Sequence, residues 1–178
     1  MRRFERYVAI GDSTVEGLDD PDGRGGYRGW ANRLGERIAR DQGELRYANL
    51  AVRGRKTREV MDEQLGPALA MRPDLVAVVS GTNDILRPRF DADQVAGEIE
   101  TMQRELTRAG AIVFSFTLPD LTPVMPLARP LRARIRAFAR ALVEAGARSG
   151  AIVIDFTAHP VASDPRLWSD DRLHANSL

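Results

Sequence analysis

The feature that most constrains this chain is the run Leu-Val-Ala-Val-Val-Ser from Leu75 to Ser80, entered through Pro73-Asp74. No polar side chain interrupts it before Ser80, so neither face of the segment suits water. A strand buried on both faces belongs to a parallel sheet covered by helices on each side. The rest of the chain fits that demand by alternation. Tyr7 to Ile10, Tyr47 to Val52, Ile112 to Thr117 and Ala151 to Phe156 are further short apolar runs, while the segments between them carry helical spacing. Trp30, Leu34 and Ile38 recur at that spacing up to Gly43; Val95, Ile99, Met102 and Leu106 do so up to Gly110. A short helix is expected from Thr57 to Leu65, closed by Gly66 and Pro67, and a long one from Leu131 to Ala147. The expected fold is a three-layer α/β/α domain around a doubly wound, five-stranded parallel sheet.

The 178 residues suit one domain, and neither a repeat nor a boundary divides residues 1–178. Apolar residues at 43% and charged residues at 29% are the balance of a globular chain, and the longest apolar runs fall far short of the ~18 residues that span a bilayer. Arg2 and Arg3 are followed by Glu5 and Arg6, which interrupt any secretory leader, so a cytoplasmic location is expected. With no cysteine and only His159 and His174, disulfides, thiolate sites and three-histidine zinc sites are excluded. The charge of +1 is made of 26 basic and 25 acidic residues that intermingle along the helices, which gives no footprint for nucleic acid.

In such sheets ligands bind beyond the carboxyl ends of the strands. Gly11-Asp12-Ser13-Thr14 follows the first strand, Arg53-Gly54-Arg55 the second and Gly81-Thr82-Asn83-Asp84 the third; Asp171-Arg172-Leu173-His174 lies near the end. Together they hold the parts of nucleophilic catalysis. A serine needs a base, the base needs an orienting acid, and the oxyanion needs donors. Asp171 and His174 are three apart, so on one helical turn or a tight helical loop the carboxylate can hold the ring at Nδ1 and leave Nε2 for Ser13. The Ser13 N–H, the Gly54 N–H and the Asn83 amide are candidate oxyanion donors. Asp12 reads as a residue fixing the turn, Asp84 as a helix cap, Asp170 as a rival to Asp171 and His159 as a rival base without an acid three residues upstream. Trp30 and Trp168 read as packing residues. Neither the Gly11 to Gly17 segment nor the Gly23 to Gly29 segment has the pattern of a nucleotide-binding loop, and no G-x-S-x-G elbow surrounds Ser13.

Gly11-Asp12-Ser13 with Gly17, then Gly54, then Gly81-Thr82-Asn83-Asp84, then Asp171-Arg172-Leu173-His174 resembles the SGNH hydrolase superfamily, the GDSL esterases and lipases. The resemblance runs from about Tyr7 to the end and rests on four blocks in order. It implies a flavodoxin-like SGNH fold, Ser13 as nucleophile, and Ser13 N–H, Gly54 N–H and Asn83 as the oxyanion hole. It also implies His174 as acid and base with Asp171 orienting it, no metal or organic cofactor, and a small-molecule ester or thioester as substrate. Tyr27-Arg28-Gly29-Trp30 and Arg166-Leu167-Trp168-Ser169 resemble the small bacterial esterases of that group. Two departures stand out: the sequence runs only four residues past His174, to Leu178, where family members usually continue into a final helix, and Thr14 stands where the family often has a larger apolar residue. The first is expected to leave apolar sheet surface exposed or covered by a partner chain. An acyltransferase would use the same triad, and a non-catalytic module of this fold would bind acyl or carbohydrate groups without turnover. The Asp19 to Gly29 and Leu118 to Pro130 segments are expected to wall the pocket.

Overall fold

In the computed structural model, which describes residues 3–157 and 159–176, five strands form one parallel sheet in the order β2-β1-β3-β4-β5. The strands are β1 (Arg6–Gly11), β2 (Arg46–Asn49), β3 (Leu75–Val79), β4 (Ile112–Phe116) and β5 (Ile152–Ile154). The helices are α1 (Ser13–Glu16), α2 (Trp30–Gln42), α3 (Thr57–Ala70), α4 (Thr82–Ile85), α5 (Ala92–Arg108) and α6 (Arg132–Ser149). The expected architecture is the observed one. Every residue of β3 is buried, as its unbroken apolar run requires.

The sheet sends alternate side chains to two cores. Val8, Ile10, Val76, Val78 and Val113 meet residues of α3, α5 and α6 on one face, including Val60, Ile99, Met102, Phe138 and Leu142. Tyr7, Ala9, Leu75, Ala77 and Val79 meet Ala31, Trp30, Leu34 and Ile38 of α2 on the other. Because β5 pairs Ile152 with Phe114 and Ile154 with Phe116, both isoleucines point to the α2 face. On that face α2 reaches β4 through Trp30, which stands edge-on to Phe114 and Phe116, whereas Ile152 and Ile154 of β5 are 56% and 43% exposed.

One helix departs from expectation. Gly66 and Pro67 do not close α3, which continues to Ala70 with Pro67 inside it. A proline removes one backbone donor and costs helix stability. Here the turn beyond it carries Ala68, fully buried, and Leu69, packed on the core, so burial outweighs the missing bond. Several strands are also shorter than their apolar runs: β2 stops at Asn49, whose side chain caps the chain's exit by accepting from the Ala51 N–H.

At the end of β1, Gly11 has φ +157, and a Cβ there would lie 2.0 Å from the Val79 carbonyl oxygen. Only glycine permits that approach. Gln64 of α3 then fastens Gly11 from outside the sheet, accepting from its N–H at 2.8 Å and donating to its carbonyl at 2.9 Å. Gly97 is the contrast, a glycine inside α5 with open space where a Cβ would go. Gly97→Ala should raise unfolding free energy in urea by about 0.5–1 kcal/mol. Gly11→Ala should lower it by about 3 kcal/mol or more.

Candidate active site

The chain steps from β1 outward to β2 and then back past β1 to β3, so β1 and β3 flank the point where the winding reverses. A crevice opens there at the strands' carboxyl ends. Ser13 leaves from one side of it and Asn83 from the other. Asp12 caps α1, its Oδ1 accepting from the Thr14 N–H at 3.0 Å and the Thr14 hydroxyl at 2.8 Å. Thr14 therefore spends its hydroxyl on Asp12 while its residue borders the cavity described below. Burial pushes the Asp12 carboxyl up, against the opposing pull of the Thr14 bonds and of His174. Trp30 locks the same turn by donating its indole N–H to the Thr14 carbonyl at 2.7 Å.

His174 arrives from the far end of the chain, on a tight reversal closed by an antiparallel bridge between Trp168 and Ala175. Ser169 N–H donates to the His174 carbonyl, Asn176 N–H to the Leu167 carbonyl, and Arg172 turns through φ +58. The segment is a turn instead of a helix. Asp171 sets its shape by accepting with Oδ1 from the N–H groups of Leu173 at 2.9 Å and His174 at 3.0 Å. Its Oδ2 lies 2.6 Å from His174 Nδ1, and His174 Nε2 lies 2.8 Å from the Ser13 Oγ. Partial burial pushes the Asp171 carboxyl up, but the Leu173 and His174 N–H bonds and the ring beside it outweigh that and hold it below its ordinary value. Ser13 and His174 are each only 7% exposed, so their bond is shielded from water.

Of the three sequence-predicted donors, Asn83 and Gly54 are brought near each other through Arg55, the residue after Gly54, whose carbonyl accepts from the Asn83 amide. Gly54 sits in a turn with φ +78, a conformation suited to glycine, and neither its N–H nor that of Ser13 has a protein acceptor among the described residues. Asn83 donates one amide hydrogen to the Arg55 carbonyl at 2.9 Å, which fixes the side chain and leaves its second hydrogen for another acceptor. Asp84 caps α3 instead of its own helix, its Oδ2 accepting from the Thr57 N–H at 2.9 Å and the Thr57 hydroxyl at 3.0 Å. This bond ties the loop after β3 to the loop after β2. The rivals fall elsewhere: His159 stacks edge-on against Phe156, and Asp171 instead of Asp170 holds the imidazole.

Sequence reasoning missed Asp19, whose Oδ2 lies 3.8 Å from His174 Nδ1. With Asp171 and His174 it forms a cluster whose candidate ligand atoms lie within 4.8 Å of one another. Both ring nitrogens are already engaged, by Asp171 and by Ser13, so the imidazole has no lone pair to offer a metal while those bonds stand.

A cavity of about 690 Å³ opens from His174 and is lined almost wholly by apolar side chains, among them Trp30, Phe116, Leu121, Met125, Ile154 and Phe156. Trp30 and Phe156 both stack on Phe116, with ring centroids 4.9 and 5.6 Å apart. The Leu118 to Pro130 segment contributes to the wall as expected. From the Asp19 to Gly29 segment only Gly29 does, while Asp20 is held in a salt bridge by Arg33.

The sequence model of the GDSL-like Lipase/Acylhydrolase family matches residues 9–178, and the chain belongs to that family. By class it is a carboxylic ester hydrolase. A sequence comparison with curated proteins finds no match. Solved structures agree on the fold. A lipase/acylhydrolase from Enterococcus faecalis superposes with a TM-score of 0.76 at 24% identity, over 97% of this chain and 88% of that one. TesA gives 0.79 at 22% identity, over 96% and 89%. A psychrotrophic esterase from Pseudoalteromonas sp., in a structure inhibited by monoethylphosphonate, gives 0.74 at 17% identity, over 97% and 88%.

The Asp84 bonds make a separate prediction. Asp84→Ala leaves the fully buried Thr57 N–H without its acceptor, and chemical denaturation should show a loss of about 2 kcal/mol.

Proposed function

We propose that the chain hydrolyses carboxylic esters with an apolar acyl group through an acyl-enzyme on Ser13. The observation that carries this reading is the chain of contacts from Ser13 through His174 to Asp171, at 2.8 and 2.6 Å, opening on an apolar cavity. The Ser13 oxygen attacks the acyl carbon as His174 Nε2 takes its proton, and the carbonyl electron pair moves onto oxygen. The N–H groups of Ser13 and Gly54 and the free Asn83 amide hydrogen stabilise that oxyanion. Collapse of the tetrahedral intermediate breaks the bond to the alcohol oxygen, which receives the proton from His174. Water then repeats the sequence on the acyl-enzyme, and Ser13 recovers its proton. Asp171 keeps the ring in one tautomer and balances its positive charge. Every step uses side chains and backbone alone, and the same geometry accepts a thioester carbonyl. Among the described residues no helix is long and apolar enough to cross a membrane.

Steady-state assays with aryl esters test these roles. Ser13→Ala should lower kcat at least ~10⁴-fold while the far-ultraviolet circular dichroism stays unchanged. A variant that kept turnover would remove Ser13 from the chemistry, and unaltered ligand binding without any wild-type turnover would make the protein a binding module. Asn83→Ala should lower kcat by about 10²-fold.

The apolar cavity supports a preference for longer acyl groups. Each buried methylene is worth about 0.8 kcal/mol, so kcat/KM should rise up to roughly fourfold per added carbon from acetate upward until the cavity is full. A series in which acetate is the best substrate would show that the acyl group does not enter it.

A further inference from the structure

Asp19 is placed with more care than a surface turn needs. Its neighbours on both sides are anchored: the Leu18 N–H donates to the Ser13 carbonyl, and the Asp20 N–H donates to the Gly17 carbonyl. Asp20 itself is 3% exposed and grips the Arg33 guanidinium with both oxygens, at 2.9 and 2.8 Å. Gly17 and Gly29 touch backbone to backbone, since a Cβ on Gly17 would lie 2.4 Å from the Gly29 nitrogen. Between these anchors Asp19 adopts φ +67, the left-handed region that non-glycine residues rarely occupy. Its single ion-pair contact among the described residues is His174 Nδ1 at 3.8 Å.

Two carboxylates thus converge on one ring nitrogen. While the imidazole is neutral their mutual repulsion makes this unfavourable; once His174 has taken the proton of Ser13, a cation lies between them. An interaction that is repulsive at rest and attractive in the charged state accelerates the step that creates the charge. We propose that Asp19 is a second acid of the site, a positioning residue that stabilises the His174 imidazolium beside Asp171 and sustains part of the activity when Asp171 is lost. The proposal rests on the Ser13–His174–Asp171 reading and extends it. The charged or titratable groups facing the ring are Asp171, Asp19, the buried Asp12 and Ser13; Arg33 lines the same cavity, but Asp20 holds its guanidinium.

The test uses Asp19→Asn and Asp19→Gly, both of which tolerate a left-handed backbone, so the turn survives while the charge is removed. Both should lower kcat by about tenfold with KM little changed, and both should move the acid limb of kcat/KM to lower pH by ~0.5–1 unit, because the imidazolium has lost a stabilising anion. Asp19→Glu should recover part of the rate. In an Asp171→Asn background, removing Asp19 should cost a larger factor than in the wild type, the coupling of two groups acting on one proton. A residue kept only for its backbone conformation predicts the reverse: Asn and Gly variants with wild-type kcat and an unmoved pH limb, which would overturn the proposal. If Ser13→Ala and His174→Ala abolish turnover while the Asp19 variants remain wild type, this proposal alone fails. If Ser13→Ala stays active, the triad reading on which it rests fails.

Discussion

The close passage of β1 and β3 at Gly11 and Val79 is the constraint on which the rest of this structure depends. Backbone meets backbone there, at the point where the sheet reverses its winding, and no side chain fits between them. With Gln64 holding both polar groups of Gly11, the chain leaves β1 in one direction. Asp12 then caps a single turn of helix, and Ser13 is presented at the rim of the crevice with its N–H unspent. The position of the serine thus follows from packing two strands to the limit of contact.

The remaining site residues are brought to that fixed point by polar bonds between loops. Asp84 ties the β3 exit to the start of α3, and Asn83 ties it to Arg55 beside Gly54, so two of the candidate oxyanion donors sit on loops bonded to each other. His174 comes from 161 residues away in sequence, and its reversal is braced by its own backbone bonds and by Asp171. The histidine keeps its two ring contacts although the neighbouring half of the α2 face, around Ile152 and Ile154, carries exposed apolar surface. The local turn, more than the layer beneath it, orients the ring.

Much of this was legible in the sequence because it depends on local pattern. The buried run Leu75 to Ser80 set the sheet type, and residues at strand ends set the place to look for chemistry. Ser13, Gly54 and Asn83 stood out by residue type at such ends, and Asp171 and His174 by their spacing of three near the end of the chain. What escaped notice depends on tertiary contact. Pro67 reads as a helix stop until the burial of Ala68 is known. Asp84 reads as a helix cap, and only the fold shows that the helix it serves begins 27 residues earlier, at Thr57. Asp19 reads as one acid among several in a polar loop, and only the Asp20–Arg33 and Gly17–Gly29 contacts show that the loop is rigid and aimed at His174. Its one sequence signal is position: it lies six residues after Ser13 in a segment with glycine at 17.

The central claim is that Ser13 is made nucleophilic by His174. The most direct measurement is reaction with a fluorophosphonate, followed by intact mass and peptide mapping of the folded wild type and of His174→Ala. The account predicts one adduct, on Ser13, and none in the His174 variant under the same conditions. An adduct on another residue, or equal labelling of Ser13 without the histidine, would contradict it.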